Sequence, residues 1–233
     1  MPLHHDEAAP TPMSSAPSSA LWYAFDPTWY RQTYAPLHED IAPLSDPELE
    51  DWYAAHGAPS GHSPNRYFNE EWYRLTCTSA MTGLADGTYR SGFHHYCTAG
   101  LHDCSPHMLF NERFYRSHHA DLTEANLATG GYVNGYDHYL RAGDSEHRTG
   151  HPFFSPTLYL SNRPEEDPAL SHLPPFHHLL HMPADLPDRI RLSRHFDPIW
   201  YQAMRPDMTH MVQCGLAPNV LQQFLTTFTA GRF

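Results

Sequence analysis

The chain contains no lysine: all 14 of its cationic side chains are arginines, in 233 residues. That absence excludes a P-loop lysine, a Schiff-base lysine and the phosphate-binding lysine of a kinase. Positive charge is scarce altogether, because 26 carboxylates leave a formal net charge of −12 with histidine neutral. Such a chain lacks the basic face that neutralises nucleic-acid phosphates. Cysteine is sparse too. Cys77, Cys97, Cys104 and Cys214 are too few and too unevenly spaced for a disulfide framework, so reduced, partly buried thiols are expected. No run approaches the ~18 uncharged apolar residues of a membrane span. The GxSxG, HExxH, GxGxxG and paired CxxC arrangements are missing, so no reaction can be named from a motif.

Proline and histidine are abundant instead, at 22 and 20 residues. Each interior proline costs a helix about 3 kcal/mol, so many short elements are expected. If all the histidines were protonated the net charge would swing from −12 to +8, a change centred near the unperturbed histidine pKa and reduced by every histidine that is buried. Residues 1–24 are rich in proline, serine and alanine, with neither the basic nor the apolar region of a signal peptide. They read as a disordered leader. The cytoplasm is the expected location, with export lacking a classical signal as the alternative. Glu165 and Glu166, among prolines, read as solvated surface.

One motif organises the rest. Phe25-Asp26-Pro27-Thr28-Trp29-Tyr30 returns as Phe68-Asn69-Glu70-Glu71-Trp72-Tyr73 and as Phe110-Asn111-Glu112-Arg113-Phe114-Tyr115. It returns twice more, as Phe154-Ser155-Pro156-Thr157-Leu158-Tyr159 and Phe196-Asp197-Pro198-Ile199-Trp200-Tyr201. The leading phenylalanines are 43, 42, 44 and 42 residues apart. Asp26, Asn69, Asn111, Ser155 and Asp197 are all good helix N-caps. Pro27, Pro156 and Pro198 then fall at the first helical position, and Glu70, Glu71 and Glu112 place negative charge at the positive end of the helix dipole. Phenylalanine before the cap and tyrosine four residues after it form a hydrophobic staple. The motif is a helix-start device.

A second motif closes each unit: Trp52-Tyr53-Ala54-Ala55-His56-Gly57, His95-Tyr96-Cys97-Thr98-Ala99-Gly100 and His138-Tyr139-Leu140-Arg141-Ala142-Gly143, with a weaker Thr226–Gly231 copy. It reads as the end of a second helix, with glycine just past the end in a left-handed conformation. The fourth copy, ending Leu180-His181-Met182-Pro183, has proline where the glycine belongs and should be shortened or distorted. The fold class that follows is all-α: about five tandem repeats of short capped helices over residues 25–233, each needing a neighbour to bury its apolar side.

These residues resemble a bacterial repeat with an FDxxWY-like start and an HYLxxGxxEGR-like close. The third copy, His138-Tyr139-Leu140-Arg141-Ala142-Gly143 running on to Arg148, matches the close best, and Arg205-Pro206-Asp207-Met208 extends the fifth start. Such repeats are found beside glycosyltransferase domains of surface-polysaccharide synthesis and in some secreted calcium-binding repeat proteins. The resemblance implies a non-catalytic interaction module, not an enzyme, with a glycosyltransferase or polysaccharide as partner. It brings no catalytic residue and no cofactor.

Two candidate sites remain. His94, Cys97, His102, Cys104 and His107 fall within 14 residues. Imidazole and thiolate suit zinc or copper, so the rival reading is a His/Cys-rich metal-binding protein. Aromatic residues invite a sugar-stacking reading, but Trp29, Trp72 and Trp200 recur at one position of the motif and are assigned to the core. Trp22 and Trp52 break the pattern and are the candidates for an exposed glycan or partner contact.

Overall fold

The computed structural model describes residues 20–164, 168 and 170–230, so the leader up to residue 19 and the Glu165-Glu166 pair lie outside the described residues. The fold is all-helical; two isolated bridges, His151 with Phe154 and Ser193 with Phe196, are the only β-pairing among the described residues. In chain order the helices are α1 (Pro27–Tyr34), α2 (Asp46–Trp52, running on to Ser60), α3 (Glu70–Thr76), α4 (Thr78–Ala85), α5 (Gly92–His95, running on to Gly100) and α6 (Glu112–His118). They continue as α7 (Glu124–Thr129), α8 (Gly135–His138, running on to Gly143), α9 (Pro156–Asn162), α10 (Pro175–His181), α11 (Pro198–Met204), α12 (Pro206–Gln213) and α13 (Val220–Ala230). The longest uninterrupted α-helix among the described residues has 11 residues, and α2 with its π-turn runs only from Asp46 to Ser60, in keeping with the proline content.

The helix-start device works at all five positions. The side chains of Asp26, Asn69, Asn111, Ser155 and Asp197 each accept from the backbone N–H three residues on, at 2.9, 2.9, 2.8, 3.4 and 3.0 Å. The staples close as well. Phe25–Tyr30, Phe68–Tyr73, Phe110–Tyr115, Phe154–Tyr159 and Phe196–Tyr201 have ring centroids 5.1, 5.1, 5.4, 5.7 and 5.2 Å apart. All five tyrosines are buried.

Successive copies are joined by a backbone seam. The N–H groups of Asp26, Asn69, Asn111 and Ser155 donate to the carbonyls of Pro64, Pro106, Gly150 and Leu192, at 3.1, 2.9, 3.0 and 2.7 Å. Each acceptor lies four residues before the next leading phenylalanine. One residue further on, Asn65, His107, His151 and Ser193 turn the chain by accepting from the backbone N–H of Tyr67, Leu109, Phe153 and His195. Those turns then press on the second helix of the following copy. Trp22 meets Tyr96 at 5.0 Å, His107 meets Phe176 at 5.1 Å, Phe153 meets Phe224 at 5.4 Å, and the Tyr67 carbonyl accepts from the Tyr136 hydroxyl. The last helix folds back: α13 packs on α3, and the Asn69 amide donates to Gln222 at 3.4 Å.

Several expectations are corrected. Ala20–Ala24 belong to the fold and not to a leader, since Ala20 and Trp22 are in the main core. Gly57, Gly100 and Gly143 are not left-handed helix caps; each has negative φ and ends a single π-helical turn, Tyr53–Gly57, Tyr96–Gly100 and Tyr139–Gly143. The glycine is needed for approach, because a Cβ there would overlap the hydroxyl of Tyr30, Tyr73 or Tyr115. In the fourth copy α10 stops at His181, ahead of Pro183, and has no such turn.

Cys77 and Cys104 are joined in a disulfide, which corrects the expectation of reduced thiols throughout. It closes a span of 27 residues around α4, and loop-closure entropy gives it roughly 3.5 kcal/mol of stabilisation. Reduction under native buffer should therefore lower the urea midpoint sharply, and a Cys77→Ser/Cys104→Ser variant should match the reduced protein. An unchanged midpoint on reduction would show the bridge to be energetically silent.

Candidate functional site

Four buried or half-buried tyrosine–imidazole pairs recur through the chain. The hydroxyls of Tyr30, Tyr73, Tyr115 and Tyr159 lie 2.7, 2.7, 2.9 and 2.6 Å from Nδ1 of His62, His95, His138 and His178. The last three imidazoles come from the closing motif. In the first copy that position is Trp52, and His62, from the loop before Phe68, supplies the ring instead. Hydroxyl beside imidazole is the raw material of general acid–base chemistry. Here burial raises the pKa of Tyr30, Tyr73 and Tyr115 and lowers that of His62, His95 and His138. Both partners are held neutral, and in the first three copies a glycine backbone lies against the hydroxyl. The pairs are cross-braces between the first and second halves of a copy.

Buried carboxylates, with the half-buried Asp188, make a second recurring set. The two oxygens of Glu70 accept from the N–H of Gly92 and Phe93, and those of Glu112 from Gly135 and Tyr136. Asp144 does the same for Phe176 and His177, and Asp188 accepts from Val220 at 2.7 Å. Each thus caps the second helix of a copy. Sequence reasoning gave Glu70 and Glu112 to the dipole of their own helices; they are fully buried or nearly so and serve α5 and α8. Burial drives Glu70 up against the pull of Arg74, and drives Glu112 up to about 7. A raised carboxyl at a cleft is a familiar mark of a catalytic acid. Both Glu112 oxygens are nevertheless committed to backbone donors. Glu112→Ala leaves two buried N–H groups unpaired and should cost about 2–4 kcal/mol, measurable as a urea-midpoint shift, with Glu112→Gln retaining part of the loss.

The predicted metal set is not assembled. Cys104 is in the disulfide with Cys77. Cys97 is buried on α5, where burial and then Glu70 push its thiol up to about 12, far from the thiolate a metal needs. His107 is buried with Nδ1 taken by the Leu109 N–H, and His94 accepts from the Arg90 N–H. No group of three His, Cys, Asp or Glu side chains fit to hold a metal ion occurs among the described residues.

The tryptophans redistribute. Trp22 has no exposed surface and packs on Tyr96, so it is corrected from candidate contact to core. Trp200 moves the other way, being 63% exposed on α11 where the core was expected. Trp72 is buried as expected. Trp52 stays at the surface, half-buried, its Nε1 donating to Asp40 at 3.2 Å. Around it lie the rings of His38, His56 and His62, at 5.5, 5.4 and 6.0 Å, and Tyr34 stacks on His62 at 4.0 Å. A cleft of about 920 Å³ opens elsewhere, between Arg113, Arg116 and Ser117 on one side and His102, Asp103 and Glu124 on the other. Its charges nearly cancel, so it has no preference for a strongly anionic ligand.

No family model matches the sequence, and no curated protein or solved structure matches it either. No helix among the described residues is long and apolar enough to cross a membrane.

Proposed function

We propose that this protein is a non-catalytic helical interaction module that serves bacterial cell-surface polysaccharide synthesis, with a glycosyltransferase or its polysaccharide as partner. One observation carries the non-catalytic reading: the groups that resemble catalytic machinery are repeated, buried or half-buried, and already bonded. Tyr–His pairs occur four times and carboxylate caps four times, each in the same structural role. An active site is ordinarily a single constellation, so recurrence argues for architecture. The link to polysaccharide rests on the resemblance of the FDxxWY-like and HYLxxG-like motifs. The aromatic surface of Trp52, His38, His56 and Tyr34 is the part best suited to stacking on a sugar ring.

The purified chain, offered sugar nucleotides and an oligosaccharide acceptor, should transfer nothing; turnover by the chain alone sinks the reading. Bacterial surface polysaccharide should quench tryptophan fluorescence in a saturable way, and Trp52→Ala should lose most of that response. A saturable response that survives Trp52→Ala would move the contact elsewhere on the molecule.

A further inference from the structure

We propose that the protein associates head to tail with a second copy of itself, the fifth copy's exposed edge docking on the acidic second helix of the first. Each copy within the chain meets the next through two contacts. The N-cap N–H finds a carbonyl four residues before the next leading phenylalanine, and the turn before each phenylalanine lies against the following copy's second helix. The aromatic met there is Phe93, Tyr136, Phe176 or Phe224, seven residues before the closing glycine or its substitute.

At the fifth copy the backbone half of that contact is unmatched among the described residues, and the turn that would make the other half is exposed at Arg194 and His195. The Asp197 N–H has no hydrogen-bond partner among the described residues, unlike its four equivalents. Ile199, Trp200 and Met204 are 62, 63 and 59% exposed on α11. The tryptophan at the same helix position in the second copy, Trp72, is only 5% exposed, on the helix that receives α13.

The opposite end carries the complement. The position of Phe93 and Tyr136 is occupied in the first copy by Glu50, exposed on α2 beside Glu48 and Asp51. The loop before the fifth phenylalanine exposes Arg191, Arg194 and His195. A following copy would place its acidic α2 against this basic turn, and Leu21, four residues before Phe25 and 42% exposed, would bring the carbonyl that Asp197 lacks. Pairing two fifth copies face to face would instead set arginine against arginine. Opposite charge at the two ends of one seam favours the heterologous arrangement, which does not close on itself at two subunits.

Sedimentation velocity over a concentration series tests this. The wild type should show a mass that rises with concentration past the dimer, weakening as salt is added. Trp200→Asp removes the tail and Glu50→Arg the head, and each alone should be monomeric, its association weakened about tenfold or more. An equimolar mixture of the two should form dimers and stop there, since one functional head and one functional tail remain. Met81→Asp, on α4 of the second copy and 51% exposed, should associate as the wild type does. All three positions are at least partly exposed, and circular dichroism should show unchanged folds. A wild type that stays monomeric throughout overturns the proposal. So does a Glu50→Arg variant that still dimerises, because that result means tail-to-tail pairing.

Discussion

Gly143→Ala should destabilise the protein by about 3–5 kcal/mol, and adding Tyr115→Phe should recover much of the loss. The backbone at Gly143 is at negative φ in a helical turn, where alanine is ordinarily favoured over glycine by up to ~1 kcal/mol. A purely conformational argument therefore predicts stabilisation. Packing predicts the reverse, because the new methyl would occupy the space of the Tyr115 hydroxyl. That ring is buried against Tyr139 and Phe110 and cannot swing aside, so the hydroxyl's bond to His138 is lost or the helix shifts. Removing the hydroxyl makes room, at the smaller price of about 1–2 kcal/mol for an unpaired His138 Nδ1. Urea unfolding of the two single variants and the double variant gives the coupling directly. Were glycine needed for a left-handed cap, as its place in the sequence suggested, the tyrosine substitution would rescue nothing.

The second large effect is acid unfolding driven by two histidines. His107 and His151 are buried, and burial brings each down to about 3; the His151 charge contributes further at His107. A depressed histidine stabilises the fold fully above its unfolded value near 6.5 and loses that contribution as pH falls toward 3. Glu112 runs oppositely. With its folded value raised to about 7, its favourable contribution is complete below about 4.5 and is lost as pH rises through 7. Asp188, raised to about 6, acts in the same sense as Glu112. Between pH 7 and 4.5 the two trends offset each other and stability should change little. Below pH 4.5 Glu112 no longer offsets the histidines, so stability should fall by roughly 1.4 kcal/mol per pH unit down to the unfolded value of Asp188 near 3.8, and by roughly 2.7 kcal/mol per pH unit below that, from the histidine pair alone. Asn65 fills the equivalent position in the second copy and accepts the same turn bond. His107→Asn/His151→Asn should therefore keep the fold at pH 7 and flatten the slope below 4.5. If the double variant unfolds at the same pH as the wild type, the carboxylates control acid stability.

How much of this was legible follows from what each feature requires of the residue. The helix starts were plain because staple and cap demand particular side chains at fixed spacing, and the five starts behave as read. The turn acceptors were hidden because Asn65, His107, His151 and Ser193 share only an acceptor close to the backbone, so no letter repeats. The closing glycine was visible but misassigned, since sequence shows the small residue and not the tyrosine hydroxyl that needs the space. The Cys77–Cys104 bridge depends on how α4 folds across its 27-residue span, which spacing alone does not specify. Trp72 and Trp200 share one motif position, and only their neighbours decide that the first is buried and the second exposed. The candidate site was the least readable part. The His/Cys cluster is dense in sequence, yet α5 and the loop after it send its members to separate surroundings.

The central claim is that successive copies are joined by one backbone seam, which the Asp197 N–H of the fifth copy does not make among the described residues. Amide hydrogen exchange in dilute, monomeric protein tests it most directly. The amides of Asp26, Asn69, Asn111 and Ser155 should be strongly protected, and the amide of Asp197, in the same motif and at the same cap position, should exchange quickly. Equal protection of all five, or fast exchange of the first four, would contradict the account.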